Sequence, residues 1–210
     1  MITDVTRVTK KDVLRNWAIA EASSKRQWSS LRQRVSPATV EKLDRGQPDT
    51  LSGSEWENLE QLITQSRSPL LKGLLRLDVE WHRAELPVKD LNSLHMINWP
   101  PFIELAGSTR LVDLVAALEE GRMPPDHEEF ALSLCRMQEH LDIERMVGNP
   151  ILVSETSAVP YYLVEGYTRC CAMLLNLRRG TLLPIRRFPV FHGVGRALDK
   201  WHRNDDPGDL

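Results

Sequence analysis

The chain has 210 residues, with 27 Lys and Arg against 29 Asp and Glu, a formal net charge of −2, and 41% hydrophobic residues. That composition excludes a disordered chain and a polycation, and the length suffices for one sizeable core or for a medium domain plus a small one. No apolar run approaches the roughly 18 residues that a membrane helix needs. The N-terminal MITDVTRVTKKD lacks the apolar centre of a signal peptide, and three cysteines, two of them adjacent, make no disulfide framework. A soluble protein of a reducing cytoplasm, with no membrane partner, is the expectation. Charge is uneven along the chain. Residues 1–34 carry eight basic against three acidic side chains, and residues 178–203 carry seven against one. Two basic segments could meet phosphate or could be solvated helix faces.

From Thr9 to about Ser66 the apolar spacing is helical, with Leu14, Trp17 and Ala18 on one face. Ser36-Pro37 is an N-cap and first-turn proline, and Gly46 ends that short helix. Ser54 and Glu57 have capping-box spacing ahead of Leu59, Leu62 and Ile63. Ser68-Pro69 predicts another helix. Glu85–Val88 reads as a short strand and INWPPF as a rigid, non-helical linker. Ser108 caps a helix that ends at Gly121, and Asp126 and Glu129 open one that runs to about Val147.

Strands dominate the last third. Ile151–Val153 and Tyr161–Val164 are short apolar runs, and residues 183–191 form a further strand whose prolines favour a sheet edge. Between them lies Thr168–Arg179, apolar nearly all round and therefore a buried helix. A last short helix is expected from Gly195 to Arg203, and the acidic tail 206–210 is expected to fray.

The residues joining Tyr161–Val164 to that helix have the makings of an anion site. A helix start offers unpaired N–H groups and partial positive charge. Gly166 leaves the backbone open to a ligand, Thr168 can cap the helix or bond a phosphate oxygen, and Arg169 has a planar fork of donors. Glu165 can hold a nucleotide-borne Mg²⁺, act as a general base, or simply pair with Arg169. Cys170 and Cys171 fall in the apolar helix and read as core. His140, Glu144 and His82 lack a second ligand pair, so no protein metal centre is expected.

Two resemblances add to this. The run ILVSETSAVPYYLVEGYTRCCAMLLNLRRGTLLPIRRFPVF, with ELPVKDL upstream, resembles the core of the ParB/sulfiredoxin superfamily over roughly residues 84–203. The resemblance implies an α+β domain with a small mixed sheet, preceded by a helical region 1–83. It implies a nucleotide pocket, for ATP or a similar compound with Mg²⁺, at the start of the 168–179 helix. Glu165 and Arg169 would do its chemistry, and Gly166, Tyr167, Thr168 and Arg169 would hold the ligand. An NTP-dependent hydrolase, nuclease or phosphotransferase in a DNA-related or phage-defence setting is the implied activity. Tyr167 stands where sulfiredoxins place their reactive cysteine, which argues against sulfur chemistry. Thr168 stands where other members have His or Gln. The arginine-rich second box and Asn-containing third box of the chromosome-partition clamps are missing.

The second resemblance lies upstream. RQWSSLRQRVSPATVEKLDRGQ followed by SGSEWENLEQLI is similar to the helix-turn-helix of small phage repressors. It implies that Ser36, Ala38, Thr39 and Lys42 face DNA. With Arg186 and Arg187 of the second basic segment, Thr39 and Lys42 are the nucleic-acid candidates. A non-catalytic DNA-binding or protein-interaction module is therefore the alternative to a nucleotide-dependent enzyme.

Overall fold

Thr3–Arg7 opens the chain as strand β1 in the computed structural model, which describes residues 2–23, 32–45, 47–66, 77–97, 99–123 and 128–196 together with Leu74 and Leu198. Helices α1 (Lys10–Ser23), α2 (Pro37–Asp44) and α3 (Gly53–Ser66) follow. Then come β2 (Glu80–Pro87), a 3-10 turn (Val88–Ser93), β3 (Leu94–Met96), α4 (Pro100–Ala106), α5 (Leu111–Glu119) and α6 (Glu128–Glu139). The chain closes with β4 (Ile151–Ser154), β5 (Tyr161–Glu165), α7 (Tyr167–Arg178) and β6 (Arg187–Val194).

All six strands join one mixed sheet in the order β1-β2-β6-β4-β5-β3. The β1–β2, β2–β6 and β4–β5 pairs are antiparallel, while β4–β6 and β3–β5 are parallel. The result is an α+β fold, as expected. Alternation along the strands sends side chains to two apolar clusters. On one side Leu152, Leu163, Phe188 and Val190 pack with Leu114 of α5, Phe130 and Leu134 of α6 and Met173 and Leu174 of α7. On the other, Trp81, Ile151, Val153 and Phe191 pack with Trp17 of α1, Val40 of α2 and Trp56 and Ile63 of α3. The N-terminal helices are thus built onto the same sheet as the C-terminal strands.

Several expectations need correction. The region 1–83 is not wholly helical, because β1 pairs with β2, with Thr6 opposite Arg83. The strand expected at Glu85–Val88 begins earlier, at Glu80, and ends at Pro87. The prolines of INWPPF start α4 rather than prevent it: Pro100 and Pro101 fill the first turn, where the missing N–H costs nothing. The capping box of α3 sits two residues early. Ser52 N donates to Glu55 Oε2 at 2.7 Å and Glu55 N to Ser52 Oγ at 3.3 Å. The N-cap of α5 is Arg110, with Ser108 Oγ instead taking the Arg110 N–H at 3.0 Å. Helix α6 stops at Glu139, short of Val147.

Strand β6 is interior, although its prolines suggested an edge. Phe191 N donates to Pro150 O at 2.9 Å, on the β4 side. Pro189, two residues back, faces the same side but lies beyond the end of β4, so its absent N–H leaves no gap. The helix expected from Ser68-Pro69, the start at Asp126, Gly46 and the tail 206–210 lie outside the described residues.

Candidate anion site at the junction of β5 and α7

Strand β5 ends at Glu165, and α7 begins one glycine later. Gly166 is the N-cap at φ +100°, a left-handed conformation that side chains resist, and it gives α7 no side-chain cap. A Cβ added there would sit 2.9 Å from Pro150 Cβ and 3.0 Å from Pro150 Cα. The space the missing side chain leaves is therefore taken by Pro150, not held open for a ligand.

Arg169 comes one turn on and is only 6% exposed. Its Nη2 pairs with Glu165 Oε2, and its Nη1 donates to Val147 O at 3.2 Å. Its Nε is buried with no partner. The fork thus has two edges engaged and one donor unspent. Glu165 remains partly accessible, with 19% of its side chain exposed. Thr168 is half-buried in the first turn.

Tyr167 turns away from the helix start. Its hydroxyl donates to Leu163 O at 2.9 Å and accepts from Ile97 N at 3.1 Å, while its ring lies 5.3 Å from that of Phe102. Burial pushes its phenol pKa far above the ordinary value. Tyr167 ties α7 to β3 and α4 and is not placed as a ligand-binding side chain. Behind it, burial raises the thiol pKa of Cys170, and that of Cys171 to about 12, so both are protonated core residues.

The loop 147–150 covers the junction, and α1 holds that loop down. Asn16 Nδ2 donates to Asn149 O at 2.8 Å, and Asn149 N donates to Asn16 Oδ1 at 2.7 Å. A Cβ on Gly148, at φ +71°, would lie 2.5 Å from Ala20 Cβ. The arginine, the loop and the N-terminal helix therefore form one connected set of contacts.

The nucleic-acid candidates fall elsewhere. Thr39 is 1% exposed and donates from Oγ1 to Glu55 Oε1 at 2.9 Å. Lys42 pairs with the same carboxylate at 2.8 Å. The Lys42 ammonium, the Ser52 amide and Thr39 together pull the Glu55 pKa down to about 2. Both residues thus bind α2 to α3 rather than pointing outward. The outward side of α2 presents Ala38, Glu41 and Arg45, the last two paired at 2.6 Å. Arg186 is exposed and pairs with Glu144 at 3.1 Å, and Arg187 donates to Thr3 Oγ1.

The sequence marks His192 by its place beside a basic segment, from which it could reach the β5–α7 pocket; the structure instead buries it in a polar pair. His192 of β6 is 2% exposed, and its Nε2 lies 2.6 Å from Ser154 Oγ of β4. The Tyr161 ring stands edge-on to the imidazole at 5.3 Å. Burial, with some help from His82, lowers the His192 pKa to about 4. The signal available was the period of two in RFPVFHGV, which puts His192 on the face of Phe188 and Val190. Among the described residues no group of three or more His, Cys, Asp or Glu side chains could hold a metal ion, and no helix is long and apolar enough to cross a membrane.

Comparison with protein-family models, curated proteins and solved structures returns no match.

Proposed function

We propose that the protein binds a nucleotide or related phosphate compound at the β5–α7 junction, in the manner that the ParB/sulfiredoxin resemblance implies. The observation that carries this reading is the buried Arg169 guanidinium. It lies in the first turn of a helix without a side-chain cap, and its Nε has no partner. A buried donor left unspent costs free energy, and a phosphate oxygen reaching it would recover that cost. The helix start adds N–H groups and positive potential from the same side.

Glu165 now occupies one edge of the fork. An incoming phosphate competes with this carboxylate, so binding requires Glu165 to give up Arg169. A released carboxylate is then available to accept a proton or to meet a metal ion. The residues fit Mg²⁺ only as an ion carried by the nucleotide, since Glu165 is a single carboxylate and Mg²⁺ fills its remaining positions with phosphate and water. The ion would supply charge neutralisation at the phosphates. The loop 147–150 must also shift, which makes the Asn16–Asn149 pair part of the entry path. Nucleotide-dependent hydrolysis or phosphoryl transfer is the reaction class this arrangement serves. Use of the surface of α2 for DNA is less favoured, because Thr39 and Lys42 are spent on Glu55.

A thermal-stability screen against nucleotides with Mg²⁺ tests the proposal. Ligand at a hundredfold excess over Kd should raise Tm by about 5 °C or more. Arg169→Lys keeps the charge but removes Nε and the fork, and should abolish the rise. Absence of a shift with every nucleotide would contradict the proposal.

A further inference from the structure

A recess of about 460 Å³ lies at the β3 edge of the sheet and shares no residue with the β5–α7 junction. Lys89 and Asp90 reach it from the 3-10 turn, His95 from β3, Arg110 from the N-cap of α5, and Val159 and Pro160 from the chain entering β5. Its frame is well fixed. The Asn92 amide and the Ser93 hydroxyl donate to the carbonyls of Lys89 and Asp90 at 3.0 and 2.7 Å, holding the turn. Met96 N donates to Thr109 O at 2.6 Å, and a β-bridge sets His95 opposite Arg110.

The recess is basic on balance, with Lys89 and Arg110 against Asp90. Arg122, Arg178 and Arg186 each hold a carboxylate. Among the described residues, the Lys89 ammonium and the Arg110 guanidinium have neither an ion pair nor a side-chain hydrogen bond. His95 Nδ1 lies 3.0 Å from Thr109 Oγ1, which leaves Nε2 as the second polar atom of the ring. Asp90 is the one acid of the lining. Two unpaired cations and an imidazole therefore stand beside an exposed apolar wall of Val159 and Pro160.

We propose that this recess binds the phosphate of a small phosphomonoester, with Arg110 and Lys89 on the phosphate, His95 Nε2 hydrogen-bonded to it, and Val159 and Pro160 against the organic part. A dianion suits two cations, whereas a single carboxylate would leave one unmatched. The apolar wall favours an ester over the bare ion, because burial of its organic face adds to the charge attraction. This site is independent of the one proposed at the β5–α7 junction.

The test is a titration of the whole protein with inorganic phosphate and with a nucleoside monophosphate, read from the His95 ring proton in the NMR spectrum. Both probes should move the resonance to saturation, the nucleoside monophosphate at lower concentration. Lys89→Ala/Arg110→Ala removes two surface side chains and should weaken both probes at least about tenfold, since removing even one charge-assisted hydrogen bond weakens binding by about that factor. Arg169→Lys should leave both titrations unchanged. A His95 resonance that ignores both probes overturns the proposal. So does a response that survives in the double variant, and one abolished only in Arg169→Lys would assign phosphate to the junction instead.

Discussion

A buried imidazole takes up a proton only by giving up its burial or its partners. His192, against Ser154 and Tyr161, has its pKa lowered from 6.5 to about 4, so the unfolded chain binds the proton first. Stability should be complete above pH 6.5 and fall as pH drops toward 4, by about 3 kcal/mol over the window. Chemical denaturation at pH 7 and pH 4.5 measures it, and His192→Gln should flatten that slope. Gly166 makes a second residue-scale case. Gly166→Ala combines a left-handed φ with a 2.9 Å approach to Pro150. It should cost about 2–4 kcal/mol by denaturant unfolding, from strain and overpacking together. An unchanged midpoint would mean that Pro150 moves aside freely.

At the scale of elements, the Glu55 carboxylate joins α2 to α3 through Thr39 and Lys42 while closing the capping box of α3 with Ser52. Its pKa is pulled down from 4.5 to about 2. The stability it lends is present above pH 4.5 and is lost as pH falls through 2, a window below that of His192. Glu55→Gln should therefore loosen α2 at neutral pH, seen as faster amide exchange over Thr39–Leu43, and should remove the lower acid step. The Ser and Glu types needed for this box were visible in the sequence, but SGSEWE offers two serines and two glutamates in overlapping spacing. The choice between them is made by Lys42 and Thr39, which lie on another helix. In the same way, the start of α7 was legible to one residue. A strand ending in Glu-Gly before an apolar run leaves little choice of register. Strand β1 was not legible, because TDVTR faces solvent over most of its length and shows no apolar alternation. Its pairing with β2 is a tertiary fact.

For the molecule as a whole, α1 is the link between its N-terminal part and the candidate site. The type and spacing of Glu165 and Arg169 could be read locally, and so could their option of pairing. The cover over them could not. Pro150, Val147 and Asn149 are placed by Asn16 and Ala20, more than 120 residues away in the chain. Asn16→Ala leaves the backbone of Asn149 short of two partners and should cost about 1–3 kcal/mol. Amide exchange at Asn149 should accelerate well beyond that of β4. If the loop controls entry, the same variant should bind nucleotide faster, in stopped-flow mixing, without a matching rise in release.

Phosphate binding at the junction turns on one atom group, the Arg169 Nε–H. Its ¹⁵N–¹H resonance reports its partner directly, and burial should slow its exchange with water. Titration with ATP and Mg²⁺ should shift this resonance downfield and saturate together with the thermal stabilisation, as a phosphate oxygen takes the unspent donor. A resonance that stays in place while ATP is raised to millimolar concentration would contradict nucleotide binding at the junction, and would leave Glu165 and Arg169 as an ion pair that only holds β5 to α7.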